Sequence, residues 1–205
     1  RLYMEATAVI MATLMGISLA AASGFRVFLP PFLLSVAARL DIVWFLELDL
    51  VGTQFEFFTS TLAIVVLGIA TVAEFAGFYA PWIDNALDTI ATPASILAGV
   101  AMTAIVLEGT DPIIQWAVAI VAGGGVAATI QSATVATRSL SSTFTFGLGN
   151  SAVATGENVA SVALTLIAIL IPFISAFVVI LVVALLVRMK RRSEATTQRS
   201  DSKIS

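Results

Sequence analysis

Apolar runs at 6–22, 59–80, 94–107, 113–137 and 158–187 alternate along the chain with shorter stretches rich in Gly, Pro, Ser, Thr and acids. A helix needs about 20 apolar residues to cross the roughly 30 Å hydrocarbon layer, and most of these runs approach or exceed that length. The pattern predicts an all-α integral membrane protein of about five to six hydrophobic helices. Residues 6–22 fit a retained first span better than a cleaved leader, because Glu5 opposes Arg1 in the flank where a leader is basic.

Two interruptions predict broken or re-entrant segments, near 24–40 and 138–157. In the first, Gly24 and the pair Pro30-Pro31 stop one helix from running through. The helix restarting at Pro31 reaches only about 15 Å before Arg39, so 24–40 is not expected to cross the bilayer by itself. Residues 41–58 interleave acids with Trp44, Phe45, Phe55 and Phe57, the pattern of an interfacial connector. Pro81 opens a short loop helix over 81–93, and a separate short span is expected over 94–107. Gly123, Gly124 and Gly125 lie among Ala119, Ala122, Ala127 and Ala128, a surface for close helix contact within the chain or between copies in a homo-oligomer. Pro172 is expected to kink one long element over 158–187, since a hairpin at 171–173 has no polar side chain to cover its backbone.

Composition points the same way, with 59% hydrophobic and 11% charged residues and a mean hydropathy of +1.04. Residues 1–189 form one bundle without a soluble domain, and 190–205 a basic, disordered tail. Cysteine and histidine are absent, which excludes zinc sites of the usual kind, thiol nucleophiles and imidazole acid–base chemistry. The net charge of −3 hides a division: Arg188, Lys190, Arg191, Arg192, Arg199 and Lys203 gather at the C-terminus, while only Arg1, Arg26, Arg39 and Arg138 precede them. By the positive-inside rule the C-terminus is cytoplasmic, in a prokaryotic cytoplasmic membrane. Membrane lipids are the expected surroundings; nothing points to nucleic acid.

The candidate chemistry sits at the interruptions. Arg26, Glu74, Arg138 and Glu157 are ionisable groups at or within apolar spans, two of each sign, with Asn150 close by in sequence. Such groups offset each other's desolvation only when the fold joins them, so at least one opposite-charge pair is expected. Arg26, Glu74, Arg138, Asn150 and Glu157 read as the substrate-binding groups of a small-solute or ion transporter or channel. The alternative is a non-catalytic membrane scaffold or accessory protein in which the same groups fix helix register. A third reading takes Asp84 and Asp88, four apart on one helix face, as Mg²⁺ ligands of a lipid or prenyl-diphosphate enzyme. No catalytic residue, metal ligand set or cofactor is otherwise assigned. GISLAAASGFR and ATIQSATVATR, each a small-residue stretch ending in arginine, form a possible internal echo of the kind that marks repeat-built transporters.

Three stretches, SGFRVFLPPFLLSVAARL, EFAGFYAPWIDNALDTIATPASILAG and TRSLSSTFTFGLGNSAVATGENVASVALTLIAILIP, together resemble the DUF4126 family of uncharacterised membrane proteins. Members often carry GNP and then an ED pair in the third stretch, where this chain has Gly149-Asn150-Ser151 and Gly156-Glu157. The resemblance implies a small all-helical membrane fold and brings no activity with it.

Overall fold

The computed structural model describes residues 6–43, 48–78, 81–146 and 148–201; the side chains of 81–88, 173, 190 and 193–201 are outside that description. The chain is all-α: α1 Ala6–Phe25, α2 Leu29–Arg39, α3 Thr61–Gly77, α4 Pro81–Val106, α5 Pro112–Val118, α6 Gly125–Thr145, α7 Asn150–Leu170 and α8 Pro172–Asp201. A 3-10 turn at Glu56–Thr59 precedes α3, and a π-helical segment, Ala119–Gly124, fuses α5 to α6. Ala6–Phe25, Thr89–Val106, Pro112–Thr145 and Asn150–Leu170 are each long and apolar enough to cross a membrane, and three shorter apolar helices accompany them. With hydrophobic side chains such as Val65, Ile69, Val72, Leu97 and Val121 turned outward, this is a helical integral membrane protein.

Helix α1 is the axis of the bundle, and α4, α6, α7 and α8 all pack on it. Its small residues make this possible, because Gly16, Ser18, Ala20, Ala21, Ala22 and Ser23 let neighbouring backbones come close. A Cβ on Gly16 would lie 3.1 Å from Val106 Cγ2, and one on Gly24 would lie 2.8 Å from the Ala127 carbonyl. With Ala20 against Gly99 as well, α4 runs antiparallel to α1 and α6 parallel to it. Helix α7 descends antiparallel, its Ser161 hydroxyl donating to the Ala22 carbonyl at 3.0 Å. Helix α8 then rises again, which puts Val179 in one cluster with Ala21 and Ile130.

Three expectations are corrected. Residues 81–106 form one helix through Pro93, not a loop helix followed by a span. Proline removes a single backbone donor, the one that would reach the Thr89 carbonyl, and a membrane helix held by its neighbours tolerates that loss. Residues 158–187 do not make one kinked element: the chain turns at Ile171 and reverses into α8. The turn covers its own backbone, since Pro172 has no N–H to satisfy and the Ile171 carbonyl accepts from both Ile174 N and Ser175 N at 3.2 and 3.3 Å. Helix α2 is short, as expected of 24–40, with 11 residues against the 20 of α1. It leaves Arg26 and ends with Arg39 bonded to Thr59 and Thr61, beside Phe55, whose ring is 6.4 Å from that of Trp116. Val43, Leu50 and Phe55 then fold inward and join the core. Finally, α8 continues as helix through the start of the basic tail to Asp201.

The other expectations are sharpened. The first break falls at 26–28, between α1 and α2. The polar stretch 136–157 is mostly helical, and its break narrows to the turn between Thr145 and Asn150, where Phe146 takes a left-handed conformation with φ 53°. Gly123 and Gly124 are buried and serve packing inside the chain, where a Cβ on Gly123 would stand 2.7 Å from the Gly99 carbonyl. Trp44, Phe45, Glu47 and Tyr79 lie outside the described residues.

Candidate functional site: a buried two-arginine cluster

Helix α1 ends at Phe25, and Arg26 is the first residue of the turn into α2. That turn leaves the donors at the start of α2 without helical partners, and its N-cap, Phe28, has no side chain able to accept from them. Glu74 takes that role from α3. Its Oε1 accepts from Val27 N at 2.7 Å and its Oε2 from Phe28 N at 3.1 Å. A carboxylate at a helix N-terminus meets the positive end of the helix dipole, which offsets part of the desolvation that follows from 6% exposure. Pro30 and Pro31, which have no N–H, reduce the donors that remain to be satisfied in that first turn.

Arg26 is completely buried and heads the largest fully buried side chains of the described residues. Its Nε donates to Asn158 Oδ1, its Nη2 to the Ala154 carbonyl at 3.0 Å, and its Nη1 lies 3.1 Å from Glu157 Oε2. Three of these contacts thus come from one turn of α7. Arg138, on α6, faces the same carboxylate as a two-pronged fork, Nε to Oε1 at 3.2 Å and Nη2 to Oε2. This geometry matches the planar guanidinium to the planar carboxylate and is among the stronger charge-assisted arrangements. Both guanidinium carbons also lie over the ring of Phe78, at 4.1 Å for Arg26 and 3.9 Å for Arg138. A ring face carries negative quadrupole, so it attracts both cations where water is scarce.

Arg26 from the α1–α2 turn and Arg138 from α6 therefore share one carboxylate oxygen and one aromatic ring. The expected opposite-charge pairing occurs twice, at Glu157, while Glu74 compensates its charge through the backbone of the α1–α2 turn. Along α5 and α6, Arg138 is about 33 Å from Trp116, on the order of one hydrocarbon thickness.

Of the five residues read as candidates, Arg26, Glu74, Arg138 and Glu157 come together and Asn150 does not. Asn150 opens α7 at the hairpin tip, where its Nδ2 donates to Ser142 Oγ at 3.0 Å. Sequence reasoning missed Asn158 and Phe78. Asn158 carried a usable signal, a polar amide at the mouth of an apolar run next to Glu157. Phe78 carried none, since an aromatic at the end of a span reads equally well as an interfacial anchor. The two small-residue echoes do converge, their arginines meeting over one ring, yet the helix breaks at Arg26 and runs on through Arg138. Asp84 and Asp88 fall in α4 with their side chains outside the description, so a metal site there stays a reading of the sequence alone.

The model of one protein family, described as a domain of unknown function, DUF4126, matches residues 13–192. No curated protein and no solved structure matches the chain.

Proposed function

The chain belongs to the DUF4126 family, and from that premise we propose that it is a transporter or channel for a small solute or ion whose polar site is built from Arg26, Glu74, Arg138 and Glu157. The observation that supports this reading is the sharing of one Glu157 oxygen by two buried arginines. Fixing helix register needs one pair only, and a second buried guanidinium adds desolvation cost without adding register. With Glu74 bonded to the backbone at the start of α2 and one Glu157 oxygen shared by both arginines, the site suits an anion that would enter as the Glu157 carboxylate moves aside. The C-terminus is cytoplasmic in this proposal, in a prokaryotic cytoplasmic membrane, because Arg188, Arg191 and Arg192 end the apolar part of α8. The cluster then lies toward the cytoplasmic boundary.

A scaffold or accessory protein is the second reading, favoured by the close glycine contacts between α4 and the π segment, which suit a rigid body. Flux into proteoliposomes separates the two. Chloride, acetate and phosphate uptake should exceed that of empty liposomes, and Glu157→Gln should change it by about tenfold or more while the variant stays helical and cooperative on heating. Folded wild-type protein that moves none of these anions, nor sodium or potassium, would leave the scaffold reading in place.

A further inference from the structure

On the opposite flank of α1, a groove of about 730 Å³ runs between α8, α1 and the start of α6. Its walls include Ile17, Val126, Val179 and Val183, and Arg188, Arg191 and Arg192 line its end. The volume lies within the range of about 300 to 1,000 Å³ typical of ligand sites. One face of α8 supplies both characters: Ile180, Ala184, Arg188 and Arg192 follow one another in steps of four, as do Val183, Val187 and Arg191. Residues four apart are neighbours on the helix surface, so the stripe that lines the apolar groove continues, winding slowly about α8, into the arginines. Arginines serving only as a topology anchor have no reason to keep the register of that stripe.

We infer that this groove is a binding site for one anionic phospholipid, an acyl chain lying along the apolar stripe and the headgroup phosphate meeting the arginines. The charge order suits this occupant. The stretch Ile174–Met189 is apolar, which sets the groove at hydrocarbon depth, and the guanidinium groups follow where headgroups begin. Guanidinium forks hold phosphate by paired hydrogen bonds, and basic pockets at helix ends on the cytoplasmic side recognise anionic headgroups. The site is separate from the Arg26–Arg138 cluster and does not depend on any solute moving there.

The test uses the full chain purified in neutral detergent and offered phosphatidylglycerol, phosphatidylcholine or inorganic phosphate. Lipid retained after size exclusion is counted by native mass spectrometry, and thermal unfolding is followed alongside. Phosphatidylglycerol should be retained at about one per chain and about tenfold better than phosphatidylcholine, and should raise the unfolding temperature. Replacing the arginines together, R188Q/R191Q/R192Q, should remove the preference, and the thermal shift caused by phosphatidylglycerol, read against the variant's own lipid-free unfolding temperature, should disappear. Ala184→Trp, which fills the groove from an exposed position, should reduce retention of both lipids. Equal retention of the two lipids by wild-type protein would overturn the inference. So would unchanged phosphatidylglycerol retention in both variants, or an equal thermal shift from inorganic phosphate alone.

Discussion

Glu157 compensates two buried cations at once, so its loss should exceed that of either partner. Removing one member of a buried pair typically costs about 3 to 5 kcal/mol through the charge left behind. Glu157→Ala leaves both Arg26 and Arg138 without their shared carboxylate, whereas Arg138→Ala leaves Arg26 still bonded to Glu157, Asn158 and Ala154. Thermal unfolding in detergent should therefore rank Glu157→Ala below Arg138→Ala. The double mutant should unfold with a coupling of about 0.5 to 3 kcal/mol; additive losses would mean that the two do not interact. Phe78→Leu keeps an apolar side chain and removes the ring beneath both cations, so a drop of about 2 kcal/mol or more is expected where a merely apolar contact would lose less. The charges of this cluster were legible in the sequence because ionisable residues are rare in apolar spans. Their apportionment was not, since nothing in the spacing tells that Glu74 turns to a helix N-terminus and Glu157 to the arginines.

The helices owe their arrangement to where side chains are missing. A Cβ on Gly99 would sit 2.6 Å from Ala127 Cβ and 2.9 Å from the Gly123 carbonyl, and those neighbours belong to a packed seam. Gly99→Ala should thus lower stability by about 1 to 3 kcal/mol, as overpacking does. Gly156, on the exposed side of α7, has nothing within 4 Å of such a Cβ. Gly156→Ala should be neutral or stabilising by about 0.5 to 1 kcal/mol, because alanine loses less conformational entropy in a helix. Thermal scans of the two variants side by side check this contrast. The existence of most helices was readable from run length. The opposite fates of Pro93 and Pro172 were not: each removes one donor, and whether a helix passes through depends on what the neighbouring elements cover. Pro93 lies in a helix held along α1, while Pro172 follows Ile171, which is half exposed at the bundle end and free to turn.

Helices α1, α4, α7 and α8, and the fused α5–α6, run the length of the bundle, while α2 and α3 are shorter. Phe55, Gly109 and the Ile171 turn therefore share one end, and the cluster, the α6–α7 tip and the start of the tail share the other. The chain has no cysteine, so single cysteines report cleanly. Ser141→Cys and Ser200→Cys should be labelled by an impermeant reagent from the same side of the membrane, and Gly109→Cys from the opposite side. Labelling of positions 141 and 200 from different sides would reject the arrangement. Run lengths and the basic tail foretold a membrane bundle, but not which helix ends meet, because that depends on contacts between elements far apart in the chain.

Arg26 and its acceptor Asn158 are separated by 132 positions along the chain. At ribosomal rates of about 5 to 20 residues per second, that gap lasts on the order of ten seconds. During insertion, then, α1 enters the lipid with an arginine whose carboxylate has not yet been synthesised, and the headgroup layer must hold the guanidinium meanwhile. Nascent chains stopped before α7 should consequently remain open to proteases around Arg26 and become resistant when a separately expressed 150–205 fragment is supplied. Pulse-chase proteolysis in membranes follows this directly, and early resistance of the truncated chain would show that assembly does not wait for its last hairpin.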